Sequence, residues 1–470
     1  MRTGKLVSVA TLVLAGFAGF GCSGGTTDDG APRTPDTGNV TIAQSSVARV
    51  AASDVSATDL NAAVAANNAF AVDLYAQVLK KEAGKNVLTS PISATLALTM
   101  TYAGAQGATK SEMASALHLD PQAGDAVFAG QNALSQALNG RAATAFARKT
   151  QQVMQSGQSV AAPSADDYRL TVVNSVWGEQ SYTWETPFLD KLAANYGTGV
   201  YKQDFVHAYE PARALINGWV SEHTNDKIND LLPKGTLDDL TRMVLVNAIH
   251  LKLPWETAFV PTATSPASFV RGDASTVTTD FMHRESDLAY VDDGKAQIVA
   301  LPLSNYELQV VIALPHADVT LADYAASLTA NSAALSVPTN HVRVALSLPK
   351  AKFTSPSMSL TDALKALGMK QPFDENLANF DGLCAHPPDG SRLHIADVLQ
   401  KTMIAMQETG VEAAAATAVV LAGTTSAPTE PPVPIELNVN RPYLVAIVDA
   451  PTQAVLMLGQ IQDPTDAGEP

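Results

Sequence analysis

The chain has 470 residues, of which 46% are hydrophobic, so it can bury a large core. Its 46 aspartate and glutamate residues outnumber 30 lysine and arginine residues, and the net charge of −16 repels phosphate backbones, which argues against nucleic-acid binding. Its two cysteines, Cys22 and Cys384, exclude a disulfide framework.

An export signal is predicted at the N-terminus. Arg2 and Lys5 precede an apolar run of 15 residues, LVSVATLVLAGFAGF. The run is shorter than the roughly 20 residues that a membrane-spanning helix needs. A basic start followed by a short apolar run is typical of a secretory signal peptide, here residues 1–21. We therefore expect an exported protein, either held in the cell envelope or released.

Cys22 ends the string GFGC, which resembles the lipobox of bacterial lipoproteins. The resemblance implies that Cys22 becomes the lipidated first residue and that a lipid anchor is the only contact with a membrane. Lipoproteins usually have Leu three residues before this cysteine, where the chain has Gly19, so ordinary cleavage that leaves a free thiol is the alternative. Residues 22–59 are small, polar and free of aromatic side chains, which predicts a flexible tether.

Helices are predicted early in the folded part of the chain. Residues 60–80 place apolar side chains at helical spacing, which predicts a long helix. A second helix is predicted over residues 92–103, after the start signal Ser90-Pro91. Residues 139–167 are rich in Ala, Ser and Gln and poor in large apolar side chains, which predicts a surface helix and a loop.

Strands are predicted mainly in the later part of the chain. β-Branched runs bounded by Pro, Asn, Asp or Gly occur at residues 170–179, 296–315, 341–350, 443–449 and 455–461. Helices that cluster early and strands that dominate late favour an α+β fold with large, mostly antiparallel sheets.

The sequence predicts neither an enzyme nor a cofactor. The string GAQGATKS at residues 104–111 nearly matches a phosphate-binding loop, but Thr109 stands where a second glycine is required, and the preceding segment is predicted to be helical. The nine histidines show no metal-ligand spacing, and no GxSxG nucleophile elbow occurs after residue 59. Cys384 has His386 nearby, but proximity in one loop does not make a catalytic pair, and an inert thiol is favoured.

One late segment combines two conflicting preferences. Residues 411–420 contain five alanines, and alanine is the strongest helix former. Gly423, two threonines, Ser426 and four prolines follow at once, and such residues cannot continue a helix. Composition alone does not assign a structure to this segment.

Seven strings in the chain, taken in order, resemble the serpin family. They include TRMVLVNAIHLKLPWETAF, LTDALKALGM, ETGVEAAAATA and NRPYLVAIVD, and the seven occupy residues 86–119, 216–232, 241–259, 348–353, 360–369, 408–418 and 440–449. The resemblance implies one domain at residues 60–464 with a C-terminal tail at residues 465–470. It further implies three β-sheets, eight or nine helices and an exposed reactive-centre loop, which most family members present as bait to a serine protease.

In this family the Ala-rich segment is the hinge of that loop, and it inserts into the main sheet as a new strand after cleavage. The hinge residues here are Glu408, Gly410, Val411, Glu412, Ala413, Ala414, Ala415, Ala416 and Thr417. Strand alternation places small or apolar side chains from Val411 onward on one face, which can pass over a core without burying a charge, whereas Glu412 faces away. Gly410 is expected to act as a flexible pivot.

The bond offered as bait is predicted from the spacing usual in the family. Counting seventeen residues from Glu408 places it at Thr424-Thr425. Counted back from the string NRPY, the loop is several residues longer than usual, so the bond lies anywhere from Val420 to Ala427. These residues are small or aliphatic, which predicts a partner protease of elastase-like or subtilisin-like rather than trypsin-like specificity.

Positions that control insertion in the family can be matched to individual residues of this chain. Ser90, Ser93 and Asn247 match the shutter, a polar cluster under the centre of the sheet, and Trp255 matches the tryptophan of the breach, where insertion begins. Gln400 occupies a position that is commonly histidine. Its amide can donate and accept hydrogen bonds but lacks the pH sensitivity of imidazole.

The sequence thus predicts an exported, monomeric serpin that acts once, as a suicide substrate of a serine protease. Two alternatives stay open. The chain could be a non-inhibitory serpin that serves as a binding or chaperone module and is cleaved like any substrate. It could also be an envelope hydrolase whose Ser, His and Asp residues meet only in the fold.

Overall fold

The computed structural model describes residues 40–156, 162–412 and 433–468. The eight α-helices within these ranges are α1 Ala57–Glu82, α2 Pro91–Tyr102, α3 Gly107–Ala116, α4 Ala126–Ser156, α5 Thr186–Tyr196, α6 Phe205–His223, α7 Leu321–Ala326 and α8 Thr361–Ala366. Short 3₁₀ helices lie at Ala52–Asp54, Ala165–Asp167, Pro261–Ala263, Ser304–Tyr306, Ala333–Leu335 and Gln371–Phe373.

The strands of the same ranges include long ladders and several two-residue pieces. They are β1 Ile42–Ala43, β2 Val87–Thr89, β3 Arg169–Glu179, β4 Val200–Gln203, β5 Met243–Pro254, β6 Ser265–Val270, β7 Thr276–Asp292, β8 Ala296–Pro302, β9 Leu308–Pro315, β10 His341–Pro349, β11 Ala351–Thr354, β12 Met358–Ser359, β13 Val398–Lys401, β14 Met403–Gln407, β15 Gly410–Val411, β16 Ile435–Asn438, β17 Tyr443–Asp449 and β18 Ala454–Ile461.

The predicted α+β character is confirmed, and the helices and strands that were predicted are present. The first predicted helix is α1, which starts where Ser56 accepts a hydrogen bond from the Asp59 amide at 3.1 Å, and the second is α2, which has Pro91 as its first residue. The predicted strand over residues 296–315 consists of β8 and β9, separated by the turn at Ser304–Tyr306. The predicted surface helix is the second half of α4.

One large sheet has the strand order β1-β4-β3-β5-β15-β14-β11, and β13, which carries β12, also pairs with β5. The centre of this sheet is β5. One edge of β5 pairs with β3 from Met243 to Lys252, whereas the other edge pairs with β13 over residues 245–248 and with β15 at Leu253 and Pro254. Over residues 249–252, β3 is therefore the only ladder partner of β5 within the described part of the chain.

The two faces of β5 are buried against different elements. Val244, Val246 and Ala248 pack in one apolar cluster with Trp219 and Val220 of α6, which covers the outer face. The intervening odd-numbered residues of β5, such as Leu245 and Ile249, belong to the apolar clusters of the inner face. Both faces are therefore closed to water, and a charge on a strand beside β5 needs a partner.

The second sheet has the order β16-β10-β7-β8-β9-β17-β18-β2, with β6 also paired to β7. The long strand β7 pairs with β6 and β10 along its first part and with β8 at its end. Because β7 runs through both parts, the three sheets implied by the sequence are joined into two hydrogen-bonded networks here.

The predicted tether at residues 22–59 is wrong for its second half. β1 pairs with β4, and the carbonyl of Thr41 accepts a hydrogen bond from the Lys202 amide at 2.8 Å. Further along, Val50 donates its amide to the carbonyl of Ala194 at 2.8 Å, and Arg49 donates to Asn132 at 2.9 Å. The sequence did not predict this attachment, because the small polar side chains of the segment form no apolar pattern. The segment is held mainly through its backbone, at the edge of the sheet.

The C-terminal tail also contacts the domain, because the Thr354 amide donates to the carbonyl of Ala467 at 2.9 Å. None of the helices in the described residues combines the length and apolar character that a membrane crossing requires.

Candidate functional site

The first residues of the predicted hinge form a strand inside the large sheet. β15 lies antiparallel between β14 and β5, so that Val411 is opposite Met406 on one side and Leu253 on the other. Glu408 and Thr409 form the turn that joins β14 to β15. The chain therefore enters the sheet as a hairpin at the end of β5.

Glu408 fixes the turn of this hairpin. Its carboxylate lies 3.2 Å from the Lys350 ammonium and accepts a hydrogen bond from the Thr264 hydroxyl at 3.0 Å, while its carbonyl accepts from the Phe259 amide at 2.8 Å. Burial alone would raise the pKa of Glu408, but hydrogen bonds from its own amide, Lys350 and Thr264 together lower it. The carboxylate is thus held in its charged form at the base of the hinge.

Trp255 lies against the same turn, as the sequence predicted for the breach. Its indole Nε1 donates to the carbonyl of Gln407 at 2.7 Å, and its amide donates to the carbonyl of Thr409 at 3.0 Å. The ring is buried and meets Phe259 edge-on, with ring centroids 6.1 Å apart. Backbone and side chain of Trp255 together hold the hairpin in place.

Val411 and Glu412 follow the alternation predicted for the hinge. Val411 is buried in the inner core beneath the sheet, and Glu412 points to the outer face. The backbone of Glu412 has φ 50, a left-handed conformation that is unfavourable for a residue other than glycine. The chain thus leaves the sheet at Glu412, whereas Gly410, the expected pivot, is part of β15.

Glu412 makes two short polar contacts on the outer face. One carboxylate oxygen lies 2.7 Å from Nε2 of His250 on β5, and the other lies 2.9 Å from the Lys227 ammonium. Burial raises the pKa of Glu412, but the hydrogen bonds and charges of His250 and Lys227 outweigh that effect and lower it. Sequence reasoning missed both partners, although a histidine within the apolar run of β5 was a visible signal.

The predicted shutter residues are brought together under the sheet. The Gln400 side chain accepts from the Ser90 amide at 2.8 Å, donates to the Ser90 carbonyl at 2.8 Å and donates to Asn247 Oδ1 at 3.3 Å. The Ser90 hydroxyl donates to the Leu456 carbonyl at 3.0 Å and lies 3.0 Å from the Ser93 hydroxyl, from which it can accept. Gln400 and Asn247 are opposite each other on β13 and β5, so this network ties the two strands together.

Asn174 extends the hydrogen-bond network of the predicted shutter, although the sequence did not indicate it. It lies opposite Asn247 on β3, and with its amide nitrogen turned inward it donates to the carbonyls of Ser93 and Val173 at 3.1 and 3.2 Å. The shutter therefore involves three adjacent strands of the sheet and the N-terminus of α2.

A model of one protein family, described as serpin (serine protease inhibitor), matches residues 65–464. The chain belongs to the serpin family. An uncharacterized serpin-like protein of Methanosarcina acetivorans is 29% identical over 408 residues, which are 86% of this chain and 88% of that protein. The leukocyte elastase inhibitor of Bos taurus is 30% identical over 412 residues, covering 85% of this chain and 99% of the relative.

Solved structures give the same fold. The native-state crystal structure of the thermophilic serpin tengpin superposes with a TM-score of 0.72 at 24% identity, covering 90% of this serpin and 99% of tengpin. At this level of identity the likeness establishes the serpin fold, which was predicted.

The rest of the predicted site of this serpin lies outside the described residues. Ala413, Ala414, Ala415, Ala416 and Thr417 of the hinge belong to this group, as do Thr424 and Thr425 of the reactive bond and Cys22. The predictions for these positions stay predictions.

The structure does not favour a phosphate-binding loop at Thr109, a nucleophile at Cys384 or a metal site within the described residues. Thr109 lies in α3, which follows helix α2 rather than a strand, and its hydroxyl accepts from the Asn379 amide at 2.9 Å. Cys384 is buried, and burial raises the pKa of its thiol, which disfavours the nucleophilic thiolate. The described residues contain no group of three or more His, Cys, Asp or Glu side chains suited to hold a metal ion.

Proposed function

We propose that this serpin inhibits a serine protease of elastase-like or subtilisin-like specificity as a suicide substrate. The observation that carries the proposal is the position of β15: Gly410 and Val411 already lie between β14 and β5 at the end where the hinge would enter. An inhibitory hinge has to continue this strand.

The register of β15 defines the path of insertion. Extending its pairing places Ala415 opposite Ile249 of β5, in the stretch where β5 has β3 as its only ladder partner among the described residues. Two residues further, Thr417 would come between Asn247 and Gln400 and would replace the direct pairing of β5 with β13. The shutter is thus the barrier that insertion must open.

The proposed reaction is a race between insertion and hydrolysis. The target's serine oxygen attacks the carbonyl carbon of the bait bond, the amide bond breaks and its nitrogen leaves as a new N-terminus, while an ester joins the protease to the hinge side. An inserted strand of about 15 residues spans roughly 50 Å, enough to carry the attached protease along the sheet and distort its active site. Water would otherwise hydrolyse the ester and release active enzyme.

The proposed specificity rests on the residues around the bait bond. Residues 420–427 contain no Lys or Arg, so a trypsin-like pocket with a buried aspartate finds no partner charge. Small and aliphatic side chains fit a shallow apolar pocket. The bovine relative is named as an inhibitor of leukocyte elastase, an enzyme of the same proposed class.

The proposed setting is outside the cytoplasm. A signal peptide at residues 1–21 and lipidation of Cys22 would place a monomeric inhibitor in the cell envelope or release it from the cell.

The test is incubation with elastase-like, subtilisin-like and trypsin-like proteases, followed by denaturing gels and mass spectrometry of the released peptide. We expect complexes that survive boiling in detergent with the first two classes, and a released peptide that begins after a residue between Val420 and Ala427. A rapid complex with trypsin alone would contradict the specificity. Complete cleavage without any complex would favour the non-inhibitory alternative, and sustained turnover of peptide or ester substrates would favour the hydrolase.

A further inference from the structure

We propose that His250 and Lys227 are positioning residues that seat the hinge in the sheet by pairing with Glu412. The inference rests on the proposed inhibitory function and assigns a role to two residues outside the hinge, shutter and breach. In this role they favour insertion over hydrolysis of the acyl-enzyme, while leaving cleavage of the bait bond unchanged.

The geometry around Glu412 is that of a buried charge with two matched partners. The Glu412 side chain is only 11% exposed and that of His250 only 2%. Because a carboxylate can only accept, Nε2 of His250 carries the proton in their 2.7 Å contact. Lys227 approaches the other oxygen at 2.9 Å from a more exposed position, so His250 makes the larger contribution.

The loop that carries Lys227 is fixed over the outer face of the sheet. Its apolar residues Ile228, Leu231 and Leu232 are buried in the cluster that includes α6. The carbonyl of Leu232 accepts hydrogen bonds from Arg213 at 2.8 Å and from Asn217 at 2.9 Å, both on α6. The Lys227 ammonium is therefore presented to the hinge by a well-packed segment.

Glu412 already occupies the position it would keep after insertion. Its amide donates to the Ala405 carbonyl of β14 at 2.7 Å, which continues the register of β15, and that register places it opposite Lys252 of β5. Only its backbone has to change, from φ 50 to an extended conformation. The pairing with His250 and Lys227 is thus compatible with both the native and the inserted hinge.

The other nearby cation is engaged elsewhere. Lys252 forms its own ion pair with Asp167 at 2.9 Å. If His250 and Lys227 are removed, Glu412 must either stay in a closed site with an uncompensated charge or leave the sheet together with the hinge. Either outcome slows insertion, whereas the bait bond stays accessible.

The test compares three proteins. They are wild type, a double variant with Lys227→Met and His250→Phe, and a triple variant that also carries Glu412→Gln. With an elastase-like protease, we expect the ratio of cleaved free inhibitor to covalent complex to rise about tenfold in the double variant, at an unchanged rate of loop cleavage. Adding Glu412→Gln removes the charge and should restore the wild-type ratio. Lys227→Arg, which keeps the charge, should behave as wild type.

The control is Lys191→Met on α5, which removes a lysine from an ion pair of similar length, 2.8 Å, with the exposed carboxylate of Asp125. It should leave the ratio unchanged. A wild-type ratio in the double variant overturns the proposal. So does a triple variant that stays as impaired as the double, because the defect would then come from packing and not from charge.

Hydrogen exchange separates this proposal from the inhibitory function itself. The Glu412 amide should be protected in wild type, should exchange about tenfold faster in the double variant, and should regain protection in the triple variant. These measurements need no protease. If wild type forms no covalent complex but shows this exchange pattern, the proposed inhibitory function is wrong, whereas the role of His250 and Lys227 in holding Glu412 is supported. Equal exchange in all variants would contradict that role.

Discussion

Glu412 and Gln400 lie on either side of the first stretch of β5 that the proposed insertion would fill. Glu412 holds the leading end through His250 and Lys227, whereas Gln400 closes the far end through Ser90 and Asn247. Under the proposed mechanism we expect the two residues to have opposite effects on insertion, since Glu412 would support its first step and Gln400 would resist its continuation.

Gln400→Leu is expected to open the shutter. The substitution leaves the buried amide of Ser90 without a partner, and the Ser90 carbonyl keeps only the Ala94 amide at 3.3 Å. An unsatisfied buried group costs roughly 1–3 kcal/mol. The unfolding temperature of the uncleaved protein should fall, and incubation at elevated temperature should convert it faster to polymers or an inserted form, as followed by native gels.

The control for this change is Gln400→His, which keeps a donor and an acceptor. Because imidazole titrates near pH 6.5, the stability of this variant should vary between pH 5 and 8, whereas that of wild type should not vary on account of position 400. Equal unfolding temperatures for Gln400→Leu and wild type would contradict the role given to this amide.

At the scale of the element, two short strands extend the large sheet. β1 adds a strand beyond β4, and β15 adds one between β14 and β5. Both contain only two residues, so they are held by backbone hydrogen bonds and a few side-chain contacts. Neither has a side-chain pattern of its own that marks it as a strand.

This explains which elements the sequence predicted. α1, α2 and the strands β3, β8, β9, β10, β17 and β18 carry apolar or β-branched runs, so pattern and structure agree there to within a few residues. The pattern did not predict β5 and β7 as strands, although they are the longest strands of the described residues. Ser90, Gln400, Asn247 and Trp255 were assigned through resemblance, and the structure brings them to the expected parts of the sheet. The contact of Glu412 with His250 joins residues 162 positions apart, a pairing that no local pattern contains.

Gly199→Ala is expected to detach β1 from the sheet. A Cβ atom at position 199 would lie 2.3 Å from the carbonyl oxygen of Ala43, which is closer than atoms can approach. Limited proteolysis should then cut within residues 40–50, which in wild type are protected by their pairing with β4 and α5. Gly218→Ala on α6 is the matched control, because a Cβ there meets nothing within 4 Å. If both variants resist proteolysis like wild type, the segment is not held in this way.

Cys22→Ser tests the anchor that would precede this segment. If Cys22 is lipidated, wild type should incorporate labelled palmitate and sediment with membranes, and Cys22→Ser should lose both properties. A soluble, unlabelled wild type that begins at another residue would show that ordinary cleavage occurs, and it would leave the inhibitory proposal intact.

At the scale of the whole molecule, the proposed insertion would add a strand to the large sheet. Insertion after cleavage would add hydrogen bonds to β5 on one side and to β14 and β13 on the other, roughly ten in net terms at about 1 kcal/mol each. For a domain of about 400 residues this corresponds to a rise in unfolding temperature on the order of 10 °C. The intact molecule is therefore expected to be less stable than its cleaved form.

Ala415→Arg tests this coupling directly. Extending the register of β15 puts position 415 opposite Ile249, whose side chain is buried in the inner core, so an arginine there would have to pass over and enter an apolar site. Burying an unpaired charge costs at least several kcal/mol, and insertion should slow or stall. The bait bond itself is unaltered, so the protease should cut it at a similar rate, yet the acyl-enzyme should hydrolyse and release active enzyme.

Two measurements distinguish this effect from a folding defect. Cleavage should raise the unfolding temperature of wild type and of the control Ala415→Ser, whose side chain is small and uncharged, but should raise that of Ala415→Arg much less. The intact forms of all three should unfold at similar temperatures, since residue 415 lies beyond the part of the hinge that is seated at Glu412. If Ala415→Arg inhibits as well as wild type, or if cleaved wild type unfolds no higher than the intact protein, strand insertion is not the mechanism of this serpin. A cleaved loop would then remain outside the sheet, and the hairpin at β15 would be a fixed part of the native fold and not the start of a transition.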